Sequence, residues 1–200
     1  MNYTSLNDTE LWDLVVAGNK KAYSHIYTSY CPEIFRYGLK FTTDSQMIED
    51  VMHDLLVKIW EKKDSIQINS SIKYYLLSAF RRDLVRQLNF SKSYGRLEDC
   101  HQDIAWEASF LELLIEKQIY LETDDKLKNT LSALSVRQKE AMYLRYVEGL
   151  TYEEISDMMQ IKTQSAYNLI FRSIQFLKDQ LKDVNYYLKT FAFLVLGWQL

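Results

Sequence analysis

Two hundred residues with 48% apolar side chains are enough for one medium domain or two small ones with real cores, which excludes a disordered chain. One proline and five glycines argue against an all-β or loop-rich protein. A net charge of −3 gives no global basic character, and the distant Cys31 and Cys100 make neither a disulfide framework nor a metal pattern.

The start, MNYTSLNDTE, lacks the charged-then-apolar order of a signal peptide, so secretion is not expected and a reducing cytoplasm is. From there the hydrophobic period is helical nearly throughout. Asn7 and Glu10 make a capping box for a first helix ending near Gly18. Asn19 caps a second, with Ala22, Tyr23, Ile26, Tyr27 and Tyr30 on one face. Pro32 suits the first turn of a separate segment reaching about Phe41. Thr43 and Gln46 make a further capping box before the most regular helix. There Ile48, Val51, Met52, Leu55, Ile59 and Trp60 share one face, while Glu49, Asp50, His53, Asp54, Lys58 and Glu61 hold the other.

Residues 62–71 read as a loop and 72–88 as a helix; periodicity is lost from Phe90 to Ile104, where a linker begins. Trp106, Phe110, Leu113 and Leu114 suggest a short helix inside that linker. Residues 126–134 are helical, Ser135 with Gln138 caps the next helix, Gly149 stops it, and Thr151 with Glu154 opens another. Charge follows this division: net −4 over residues 1–61, +6 over 62–96, −8 over 97–125 and +3 over 126–200. A swing of that size predicts two binding modules around an acidic linker.

Residues 152–171 fit a helix-turn-helix. Ile155, Met159, Ile161, Ala166 and Leu169 take the apolar positions, Ser156 the small one, and Gln160 the turn position where glycine is usual. At about 100° per residue, Ala166, Leu169, Ile170, Ser173, Phe176 and Leu177 fall on one side of the second helix. Gln164, Ser165, Tyr167, Asn168, Arg172 and Gln175 fall on the other, with Thr163 placed to cap the helix. Asn and Gln read adenine edges and Arg reads guanine or holds phosphate, so this face predicts duplex DNA reading.

Earlier in the chain, Tyr75, Ser78, Arg82 and Arg86 form a basic and aromatic arc, with Lys62, Lys63 and Lys73 just before it or at its start. Cations interleaved with aromatics suit a single strand or a flipped base; a solvated basic face is the equal alternative. Asp50, His53 and Asp54 do not form a metal site, because His53 and Asp54 are adjacent and no second histidine is near. They read instead as an acidic docking face for a basic partner, against the default of a solvated surface. No nucleophile motif, phosphate-cradling loop or paired catalytic carboxylates are present, so neither an enzyme nor a cofactor is expected.

Together these residues resemble the extracytoplasmic-function branch of the sigma-70 family of bacterial RNA polymerase sigma factors. KKAYSHIYTSYCPEIFRYGLKFTTDSQMIEDVMHDLLVKIWEKKDSI is similar to region 2.1–2.2, and IKYYLLSAFRRDLVRQL to region 2.3–2.4. LSALSVRQKEAMYLRYVEGLTYEEISDMMQIKTQSAYNLIFRSIQFLKDQL is similar to region 4. The resemblance implies an all-α chain: region 2 over residues 1–92, an acidic linker over 93–125 and region 4 over 126–183. It implies that Asp50, His53 and Asp54 dock on core polymerase, although His53 stands where glutamine is common. It implies that Lys62, Lys63, Lys73, Tyr75, Arg82 and Arg86 meet and open the −10 element, with Arg82 where asparagine is frequent. Gln164, Ser165, Tyr167, Asn168 and Arg172 would read the −35 element, with Arg137 and Arg145 on the DNA backbone. Core polymerase, promoter DNA and an anti-sigma factor are the implied partners, with no small-molecule substrate and no membrane insertion. Two alternatives are a stand-alone helix-turn-helix regulator and a sigma-like interaction module without promoter opening.

The resemblance ends near Leu181, and an apolar extension over 184–200 follows. Its apolar run falls short of the ~20 residues a membrane span needs. It reads as a helix packed on the protein's own modules, with a regulatory latch or an anti-sigma docking site as alternatives.

Overall fold

A computed structural model of the chain describes residues 3–68, 71–93 and 125–180, with backbone only for 91–93 and 125–128. The predicted linker, apart from Ser93 and Asp125 at its ends, and the 184–200 extension lie outside the described residues. Among the described residues the chain is all-α, without strands. Its contacts divide it into two compact units, Met1–Cys100 and His101–Leu200.

In the first unit, α1 (Asp8–Val16) opens on the Asn7–Glu10 capping box. It closes at Gly18, whose φ of +83° only glycine adopts without strain. Asn19 then accepts from the Lys21 and Ala22 amides and starts α2 (Lys20–Gly38). Pro32 does not begin a new segment; it lies inside α2. A proline within a helix forfeits one backbone bond, at a cost of about 3 kcal/mol. The helix continues because Ala22, Ile26, Cys31, Ile34 and Tyr37 are all buried, and a break would open that stripe.

Helix α3 (Ser45–Lys62) is capped by Asp44, which accepts from the Met47 amide, and not by Thr43. The neighbouring Thr42 hydroxyl accepts from the Asp44 amide and fixes the cap one residue later than expected. A 3₁₀ turn (Lys63–Ser65) leads into α4 (Ile72–Ser93). That helix outruns its predicted end at Leu88, because no proline, glycine or cap stops it before Ser93. Helix α2 packs on α1, α3 and α4, and α3 packs on α4, around Ile26, Ile34, Ile48, Leu77 and Phe80. At Gly38 the approach is so close that a Cβ would stand 2.8 Å from Ile48 Cγ2 and 3.0 Å from Phe80 Cζ.

The second unit is built around α6 (Val136–Tyr146), in which six consecutive residues from Lys139 to Leu144 are buried. A helix buried on every side is central to its unit. Helix α5 (Asp125–Ser132) precedes it, and α7 (Tyr152–Met159) and α8 (Thr163–Gln180) follow. The Ser135–Gln138 and Thr151–Glu154 capping boxes both form, and Gly149 turns the chain at φ +75°. Helix α8 lays Ala166, Ile170, Ser173 and Leu177 inward and packs on α5, α6 and α7.

Candidate nucleic-acid interface

The helix-turn-helix angle is set at Gln160, which takes the left-handed conformation at φ 54° and ψ 51°. Its amide reaches back to the Asp157 and Ser156 carbonyls, closing α7 as a glycine would. Thr163 is not the cap of α8 but its first helical residue: the Ser165 and Ala166 amides bond to the Lys162 carbonyl. The Thr163 hydroxyl instead lies 3.2 Å from Ser156 Oγ, which itself donates to the Glu153 carbonyl. This hydroxyl pair ties the start of α8 to the small-residue position of α7.

The outer face of α8 carries Gln164, Ser165, Tyr167, Asn168, Arg172 and Gln175, all exposed. Gln164 Nε2 donates to Asn168 Oδ1 at 3.1 Å, one turn along. Phe171 lies on the same face, between the lines of Tyr167 and Gln164, and sequence alone placed it on neither side of the helix. Its ring stacks on Tyr167 at 6.0 Å and 11°, and Tyr167 meets Tyr152 at 5.5 Å.

Arg137 is exposed near the start of α6. Arg145 is half-buried: its Nη1 donates to the Leu150 carbonyl at 2.7 Å, and its guanidinium lies 4.7 Å over the Tyr152 ring. It braces the turn between α6 and α7 whatever else it touches. Burial also pushes the Tyr146 phenol up to about 12, keeping it neutral.

In the first unit the basic arc lies along α4 and the loop before it. Asp8 of α1 accepts from the Ile72 amide at 2.8 Å, and Ser71 Oγ accepts from the Tyr74 amide at 3.0 Å. Trp12 Nε1 donates to the Ile66 carbonyl at 3.3 Å. Asp8 and Trp12 thus hold the loop and the start of α4, roles that no local spacing announces across more than fifty residues.

The cations of the arc differ in state. Lys62 and Arg82 are exposed, while the Lys63 ammonium sits 4.9 Å from the Trp60 ring. Lys73 pairs with Glu33 at 3.0 Å and Arg86 with Asp83 at 3.1 Å. Tyr75 is half-buried; burial raises its phenol and the nearby Arg82 opposes that.

Asp50, His53 and Asp54 are exposed on α3, with Asp50 accepting from Gln46 Nε2 at 3.0 Å. Beside them runs a groove of about 520 Å³ between α2 and α3, lined by Tyr27, Phe35, Met52, His53 and Leu56 among others. A second hollow of about 450 Å³ continues past Val57 and Trp60. Tyr23 sets its floor, donating to the Leu56 carbonyl at 2.6 Å and touching Trp60 at 5.0 Å. Cys31 borders the groove, but burial pushes its thiol up to about 11, which keeps it unreactive. Among the described residues no group of His, Cys, Asp and Glu could hold a metal ion, and no helix is long and apolar enough to cross a membrane.

Comparison with known proteins gives a consistent picture. The family model for sigma-70, region 4, matches residues 124–177. The chain is 24% identical to the ECF RNA polymerase sigma factor SigM of Bacillus subtilis, over 76% of this chain and 91% of that protein. It is 23% identical to the RNA polymerase sigma-H factor of Pseudomonas aeruginosa, over 90% and 97%. Among solved structures, the sigma factor RpoE of Bartonella quintana in complex with the anti-sigma factor NepR has a similar fold. It aligns at a TM-score of 0.52 and 20% identity, over 81% of this chain and 98% of that one.

Proposed function

We propose that the chain is a member of the extracytoplasmic-function branch of the sigma-70 family and that it directs transcription initiation. It is an alternative sigma factor that binds core RNA polymerase and brings it to promoters. Residues 1–92 act as region 2, 126–183 as region 4, and 93–125 as the linker between them. The observation that carries most weight is the outer face of α8: Gln164, Ser165, Asn168 and Arg172 are exposed together on the second helix of a helix-turn-helix. These are side chains able to pair with base edges in the major groove of the −35 element.

In the first unit, the exposed carboxylates of Asp50 and Asp54, with His53 between them, lie beside an apolar groove. Such a surface suits a basic helix of core polymerase, charge fixing the register and the groove taking apolar side chains. The arc from Lys62 to Arg86 would take the −10 element. Lys62, Lys63 and Arg82 would neutralise the strand, and Tyr75 would offer a ring to an unstacked base. Lys73 and Arg86, already paired with carboxylates, would contribute less than their charge suggests.

No reaction is assigned to the chain itself; catalysis stays with polymerase, and a protein working on promoter DNA acts in the cytoplasm. The solved neighbour was crystallised with an anti-sigma factor, and a protein inhibitor of that kind completes the proposal. The test is footprinting on promoter DNA with core polymerase present. Protection at −35 with permanganate-reactive thymines at −10, both absent without the protein, is the expected result. Protection of a palindrome by the protein alone would support the stand-alone regulator instead.

A further inference from the structure

The outer face of α8 holds one feature that hydrogen-bond reading does not use. Phe171 is 47% exposed and Tyr167 45%, although both are large rings. They are not scattered. The Arg145 guanidinium lies on Tyr152, Tyr152 meets Tyr167, and Tyr167 stacks on Phe171, with successive separations of 4.7, 5.5 and 6.0 Å. An exposed apolar patch held in this way marks a contact surface.

Its position says which surface. At 100° per residue, Phe171 falls between Gln164 and Asn168 and Gln175 on one side and Tyr167 on the other, inside the set of polar groups facing outward. The edges of base pairs in the major groove offer donors, acceptors and one apolar group, the 5-methyl of thymine. A rigid ring placed among base-reading side chains therefore has one apolar partner available.

We propose that Phe171, held by Tyr167, reads a thymine methyl in the −35 element. The inference rests on the assignment of α8 as the −35 reader. Phe171 lies seven residues beyond Gln164, about 10 Å along the helix axis. The stacked ladder orders the ring before DNA arrives, so little rotamer freedom is lost on binding.

The test uses the full chain assembled with core RNA polymerase and a duplex recovered by selection from a randomised −35 segment. Each thymine in the selected element is replaced in turn by deoxyuridine, which removes only the methyl. In the wild type one position should weaken by about fourfold, the size expected for one buried methyl. The same replacement should have no effect with Phe171→Ala and a retained effect with Phe171→Leu, which keeps an apolar side chain. Circular dichroism melts of both variants establish that the unit still folds.

An equal deoxyuridine effect in wild type and Phe171→Ala would assign the methyl to another residue and overturn the proposal. Sequence-specific binding with no deoxyuridine effect would also overturn it and leave the aromatic patch to a protein partner. Failure to select any sequence would overturn the −35 assignment itself, a result distinct from both.

Discussion

Asp8 shows how far a single side chain can act from its place in the sequence. It belongs to the first turn of α1, yet its carboxylate accepts from the Ile72 amide at the start of α4. A charged acceptor on a helix N-terminus satisfies an orphan amide and favours the helix dipole. Asp8→Ala should therefore lower the stability of the first unit by about 1–2 kcal/mol, read from the urea midpoint. An unchanged midpoint would show that the tie carries no energy. Buried phenols act at the same scale. Tyr23 and Tyr146 are each pushed up to about 12 by burial, above the ordinary value near 10. The folded chain keeps these protons longer than the unfolded chain, so their contribution is complete below pH 10 and lost as pH rises towards 12. Urea midpoints should fall across that window, and the fall should be smaller in Tyr23→Phe. An identical fall in the variant would contradict the assignment to Tyr23.

At the scale of the element, what could be read from sequence was what local spacing determines. Three capping boxes, at Asn7, Ser135 and Thr151, form as their i and i+3 residues require. The inward stripe of α8 follows the helical period, with Ala166, Ile170, Ser173 and Leu177 buried. The departures have separate causes. Pro32 stays inside α2 because packing outweighs its missing bond, and α4 runs to Ser93 for want of a stop signal. Asp44 replaces Thr43 as cap because Thr42 supports it, a contact no two-residue pattern contains. Phe171 went unassigned in the sequence although the helical wheel places it outside, where it is exposed. Gln160 offers a direct check on this level. A glutamine at φ 54° bears a penalty that glycine avoids, so Gln160→Gly should stabilise the second unit by about 1 kcal/mol. A loss of stability on thermal melting would show that the glutamine side chain contributes more than its backbone costs.

For the whole molecule, a net charge of −3 does not conflict with DNA binding. The total averages a +6 block over residues 62–96 with a −8 block over 97–125. A protein delivered to promoters by polymerase needs little affinity for duplex DNA by itself, and an acidic segment would suppress non-specific binding. Helical content was legible from composition and period. The surface beside Asp50 was legible only as an acidic stripe, because its groove requires α2 to lie against α3. The central claim is that this surface docks on core RNA polymerase. The most direct measurement is gel filtration of the full chain mixed with bacterial core polymerase, with Asp50→Arg alongside. A stable complex for the wild type, weakened or lost in a folded Asp50→Arg variant, is the predicted result. Absence of a complex with a folded wild-type chain, or equal binding by the variant, would contradict it.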